Sequence, residues 1–137
     1  MRDLVLYLHI ILGLSLIVFP IIILLNLNKK STFIKPLSIL VAAISWIMLY
    51  PAAKLYLVFY PATKTLIKAG SQPWAHSIIM ETKEHWGILL PIIATMAAGL
   101  VYSDKLKESK RWWILLIIVA ALIGIMGRVI TLGGMAR

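Results

Sequence analysis

The chain reads as an all-α integral membrane protein, an up-and-down bundle of four helices, and three observations predict it. Four apolar runs, Leu4 to Leu25, Pro36 to Tyr60, Trp86 to Tyr102 and Trp112 to Met135, approach or exceed the roughly 17 to 25 residues a helix needs to cross ~30 Å of hydrocarbon. Hydrophobic residues make up 61% of the 137-residue chain and charged residues 14%. Such a composition aggregates as a soluble domain but suits a bilayer, where backbone groups must be satisfied within helices. Lysine and arginine also gather in two of the three connections, as the positive-inside rule expects of alternating spans. One transmembrane domain then takes up residues 1–137.

The first span, 4–25, has too long an apolar stretch for a signal-peptide h-region and no A-x-A-like site follows it, so it is read as retained. Lys29, Lys30 and Lys35 place the connection to the second span, 36–60, in the cytoplasm. Lys105, Lys107, Lys110 and Arg111 do the same for the connection between the third span, 86–102, and the fourth, 112–135. Both termini then lie outside the cell membrane. Arg2, Lys64, Lys68, Lys83 and Arg137 oppose that orientation, partly offset by Asp3, Glu81 and Glu84. The net charge of +9 is spread over loops at both faces, without any soluble nucleic-acid module. Anionic lipid headgroups are the partner it suits, and nucleic acid is not.

Between the second and third spans, residues 61–84 read as an interfacial segment. Tyr56, Phe59 and Tyr60 precede it, and Trp74 and Trp86 bracket its far end, an aromatic-belt pattern. Gly70 and Pro73 divide it, with a helix opening near Pro73 that continues into the third span. Gly87 and Pro91 offer a hinge there.

Cysteine is absent, which excludes disulfides, thiolate-bound iron–sulfur clusters and c-type haem attachment. No Gly-rich phosphate loop is present either, so nucleotide hydrolysis has no support. The ionisable residues at membrane depth are His9, Lys54, His85 and Arg128, and alternating threading puts all four in the same half of the bilayer. Such residues are costly there and mark a functional site by default. Counting 1.5 Å per residue, His9 lies ~8 Å and Arg128 ~10 Å inside the boundary, with Lys54 shallower and His85 close to it. Gly13 follows His9 at i+4 and Gly124 precedes Arg128 at i−4, leaving space beside each on the same face.

His76 and His85 stand nine residues apart, ~900° of helix, so only one of them can face a bundle interior. His76 shares its face with Met80, a nitrogen and sulfur pair suited to copper but short of ligands. Glu81, Glu84 and His85 suggest a carboxylate-bridged di-metal bundle, yet other spans bring no matching carboxylates.

His9 with Gly13, His85 within Glu81-Thr-Lys-Glu-His-Trp-Gly87, and the glycine-bearing last helix ending Gly-Arg-Val-Ile-Thr-Leu-Gly-Gly resemble the small four-helix membrane b-type cytochromes. The resemblance covers the architecture of the whole chain and few specific residues. It implies haem b held by His9 and His85, room for the porphyrin at Gly13 and Gly124, and a propionate paired with Arg128. Lys54 joins the polar set, as a site residue or as a lysine snorkelling to the interface. Electron transfer between a membrane quinone, or a partner subunit, and an external acceptor follows as the expected function. The competing expectation is a non-catalytic accessory subunit of a larger membrane complex or homo-oligomer. In that reading the polar cluster locks helices together, and Gly99, Gly124 and Gly127 pack against neighbours.

Overall fold

The computed structural model describes residues 1–29 and 32–136, and all its regular secondary structure is helical. Lys30 and Arg137, which enter the orientation argument, lie outside the described residues. Four helical rods, Arg2–Lys29, Ile34–Ala69, Ala75–Tyr102 and Leu106–Met135, are long and apolar enough to cross a membrane. At 28 residues or more, each exceeds the hydrocarbon thickness, since 28 residues rise ~42 Å.

The first rod is α1 (Arg2–Asn26), closed by a 3₁₀ turn at Leu27–Lys29. The second is α2 (Ile34–Ile47), α3 (Leu49–Lys54), a π-helical turn (Leu55–Phe59) and α4 (Tyr60–Ala69) in succession. Its interruptions have a common cause. Proline lacks the N–H of the helical ladder and crowds the carbonyl four residues back. Pro51 acts in this way on Ile47, where α2 ends, and Pro61 acts on Leu57, inside the wider π turn. A second π turn (Ala75–Met80) opens the third rod and leads into α5 (Glu81–Tyr102), and α6 (Leu106–Met135) forms the fourth.

The segment expected to lie along the surface is therefore mostly helix, and the break narrows to residues 70–74. Gly70 leaves α4 with φ −88° and ψ −172°, and a Cβ there would stand 2.7 Å from the carbonyl oxygen of Ala136. The α5–α6 connection is tighter. Lys105 N–H donates to Leu100 C=O (2.9 Å) and Asp104 N–H to Val101 C=O (3.1 Å), a Schellman pattern with Asp104 in the left-handed position at φ 57°. The Asp104 carboxylate meets Lys35 Nζ at 2.8 Å, tying the start of the second rod to the end of the third. Both groups are well exposed, so the pair is worth at most about 1 kcal/mol.

α1 packs on α2 and α6, and α5 packs on the same two, so the rods surround a common interior. Leu16, Ile23, Val41, Leu90, Ala94, Val101, Trp113 and Leu116 are fully buried in its main core. Ser38, Ser45 and Ser109 enter that core because each hydroxyl donates to a carbonyl three residues back, at 2.6 to 2.8 Å. Trp46 Nε1 donates to Thr95 Oγ1 at 3.1 Å, joining the second and third rods. A second, smaller core holds Tyr60, Ile67, Ala75, Met80 and Ile130. Outward faces carry Leu4, Ile11, Leu14, Leu25, Ile47, Leu57, Ile92 and Ile125, all exposed, the surface that lipid rather than water accommodates.

Within the chain, glycine packing is tightest at the end of α6. A Cβ at Gly99 or Gly124 would meet nothing within 4 Å, so those positions open outward. At Gly133 it would stand 2.7 Å from Ala75 Cβ, and at Gly134 3.1 Å from Thr63 Cγ2. These two glycines let the end of α6 approach α4 and the start of the third rod.

Candidate functional site at the histidine-bearing end

The inward face of the third rod can be counted back from its core. Val101, Ala97, Ala94 and Leu90 are buried, and steps of three or four residues lead on through Gly87 and Lys83 to Met80 and His76. His76 is consequently buried, at 3% exposure, and Lys83 is half-buried inside the bundle. The opposite-face argument for the two histidines holds, but the interior takes His76. His85 lies two residues beyond Lys83, ~200° around the helix, and is exposed.

His76 Nδ1 is 2.9 Å from the Tyr60 hydroxyl, in a hydrogen bond between the third and second rods. Tyr60 stacks on Tyr56, with ring centroids 5.6 Å apart and 19° between planes, and the Tyr56 hydroxyl faces the Glu84 carboxyl. A notch of about 240 Å³ lies along Tyr56, Leu57, Tyr60, Pro61 and Lys64. Met80 sits in the small core with Tyr60 and Ile130, and His76 already has a phenolic partner. Among the described residues no group of three or more His, Cys, Asp or Glu side chains is placed to hold a metal ion.

His9 differs from the other two histidines. Its Nδ1 is buried and has no hydrogen-bond partner, and the neighbouring charge is the Lys83 ammonium. Lys83 in turn lies along Gly127, where a Cβ would stand 3.6 Å from Cε and 3.7 Å from Nζ. Lys35–Asp104 is the one ion pair among the described residues, so none of the described carboxylates neutralises Lys83. A buried charge without a partner costs several kcal/mol in a low-dielectric interior. His9 from α1, Lys83 from α5 and Gly127 from α6 thus form a polar spot in the bundle.

His85 Nδ1 donates to the Glu81 carbonyl at 2.7 Å, which fixes the proton on that nitrogen and leaves Nε2 free. It faces an open groove of about 410 Å³ with Ser77, Ile78, Glu81, Thr82 and Trp86. Arg128 is exposed, about 100° around α6 from Gly127. Gly13 meets only the Met48 sulfur, at 4.0 Å. Lys54 is half-buried and places Nζ over the Tyr50 ring, 6.0 Å from its centroid.

Of the six residues expected around a macrocycle, His9 alone is turned inward with an unmet polar atom. Gly124, Arg128 and His85 face outward, and the interior partner of His9 is Lys83. Reading charge and depth alone passes over Lys83, because it lies outside the apolar run 86–102. The signal for it is the small-residue stripe of α5 extended toward the N-terminus. No known protein family, curated protein or solved structure matches the chain.

Proposed function

We propose that this chain is a cell-membrane b-type cytochrome, an up-and-down four-helix bundle that transfers electrons between a quinone or partner subunit and an acceptor outside the membrane. The observation that carries the reading is the buried, unpartnered Nδ1 of His9. A polar atom in that position costs about 1 to 3 kcal/mol unless something binds it, and an imidazole nitrogen is a strong metal ligand. Haem b, when bound, supplies a one-electron iron couple. His9 is the ligand within the bundle. His85, with its tautomer fixed and Nε2 free, could ligate only an iron on the outer side of the third rod.

Contacts at both ends of the bundle support the alternating direction of the rods. Lys35 meets Asp104 at one end, and Gly133 meets Ala75 at the other. The lysine-rich ends then face the cytoplasm and both termini face out, with the His9 region near the outer boundary. A reduced-minus-oxidised spectrum of the purified protein tests the proposal: a b-type signal is expected, and a colourless protein with haem supplied during expression contradicts it.

The accessory-subunit reading is favoured by a different observation. Two interhelical hydrogen bonds, Tyr60 to His76 and Trp46 to Thr95, use polar groups only to join the second and third rods. In that reading the purified chain is colourless and its yield depends on partner subunits.

A further inference from the structure

The half-buried lysine inside the bundle asks for a counter-charge that the described carboxylates do not supply. Carboxylates are nearby in sequence but turned elsewhere. Glu84 faces the Tyr56 hydroxyl, and Glu81 is exposed beside His85. From the first rod the group facing Lys83 is the uncharged-or-cationic imidazole of His9, and from the fourth it is the bare backbone of Gly127. Arg128, next to Gly127, adds positive charge at the surface of the same end. The second rod brings the uncharged side chains Tyr56, Tyr60 and Ile67 to the small core at this end. None of the described carboxylates is placed beside Lys83, so its ammonium is free to donate to an anion, and the Nδ1 of His9 can donate as well only where no iron takes it.

We propose that Lys83, His9 and the side-chain-free surface of Gly127 form a binding site for an anionic oxygen group, a carboxylate or a phosphate, reaching in from the membrane interface. Two sources share this chemistry: a propionate of bound haem, where Lys83 is the donor because His9 holds the iron and the inference rests on the function proposed above, and the phosphate of an anionic lipid, where His9 Nδ1 is free to donate too and the inference does not rest on it. The site explains why a lysine is kept on the inward stripe at a position where leucine or alanine continues the core. A Cβ at Gly127 would touch Lys83 in ordinary van der Waals contact, 3.6 Å from Cε, so it is side chains longer than alanine that take the space along the lysine. Charge-assisted hydrogen bonds to an anion are about twice as strong as neutral ones, so the lysine carries most of the affinity.

The test uses the full chain in neutral detergent micelles with two probes, hemin and short-chain phosphatidylglycerol, and phosphatidylcholine as the uncharged-headgroup reference. Binding is read by tryptophan quenching for hemin and by the rise in melting temperature for lipid. Lys83→Gln is expected to weaken the relevant probe about tenfold, Lys83→Arg to restore most of it, and Lys54→Gln to leave it unchanged. Gly127→Leu, which keeps the charge and fills the space, is expected to weaken it as well and serves if Lys83→Gln does not fold. Dependence on Lys83 for hemin alone identifies a propionate, and for phosphatidylglycerol alone a lipid phosphate. Loss of hemin binding in every variant, wild type included, sinks the cytochrome reading while the lipid arm still reports on the site. Equal affinity of wild type, Lys83→Gln and Gly127→Leu for both probes overturns the proposal.

Discussion

Replacing Tyr60 with phenylalanine removes one oxygen atom and leaves the stacked ring on Tyr56 in place. What it takes away is the 2.9 Å bond to His76 Nδ1, between two side chains that are 8% and 3% exposed. Interhelical hydrogen bonds in membrane proteins average about 0.6 kcal/mol and reach about 1.7. The stranded Nδ1 adds a desolvation cost, because a buried acceptor or donor without a partner costs about 1 to 3 kcal/mol. The two estimates overlap between about 1 and 2 kcal/mol, which is the expected loss. Removing both partners, as Tyr60→Phe with His76→Phe, strands no polar atom at the site. The double variant should therefore lose less than the sum of the single changes, by about 1 kcal/mol. Unfolding by titration with a denaturing detergent, followed by circular dichroism, measures all four corners of the cycle. A Tyr60→Phe loss below about 0.3 kcal/mol, with strict additivity in the double variant, refutes the claim that this bond joins the rods.

Gly133→Ala should destabilise the bundle by about 1 to 3 kcal/mol, because its Cβ would lie 2.7 Å from Ala75 Cβ, whereas Gly124→Ala, with nothing within 4 Å, should be neutral or slightly stabilising. The same detergent titration ranks the two, and equal effects contradict the packing. Lys83→Met should raise the melting temperature of the ligand-free protein, since it replaces an unneutralised buried cation by an apolar chain of similar length; a lowered value means the lysine has a partner in the empty bundle. Because the chain has no cysteine, single substitutions report topology. Ser71→Cys should react with an impermeant maleimide added to intact cells and Lys107→Cys should not, and the reverse pattern inverts the orientation.

The four rods were legible because length and hydropathy alone decide whether a segment can span. Their ends were less so. Proline at 51 and 61 argues for stopping the second helix, yet π turns and neighbouring rods re-satisfy the backbone, and the helix runs on to Ala69. The histidine-bearing end was legible as a region, and His9 as one of its inward members, but the inward places of His76 and Lys83 were not. Depth and charge single out His85 and Arg128, while facing is set by the phase of α5 and α6 against their neighbours. That phase is written in Leu90, Ala94 and Val101, residues with no chemistry of their own. Two residues of offset, from 83 to 85, turn a side chain from the interior to the outside. Within the chain the close glycine contacts are Gly133 against Ala75 and Gly134 against Thr63, whereas a Cβ at Gly99 or Gly124 would meet nothing within 4 Å.

The unmet nitrogen of His9 is the proposed haem ligand on which the cytochrome reading turns. The most direct measurement is the haem-to-protein ratio, by pyridine haemochrome, of wild type and His9→Leu purified in parallel after expression with added haem precursor. A defined haem content is expected in the wild type, lost in His9→Leu while helicity and melting temperature are kept or raised. An unchanged ratio in His9→Leu, or no haem in a folded wild type, contradicts it.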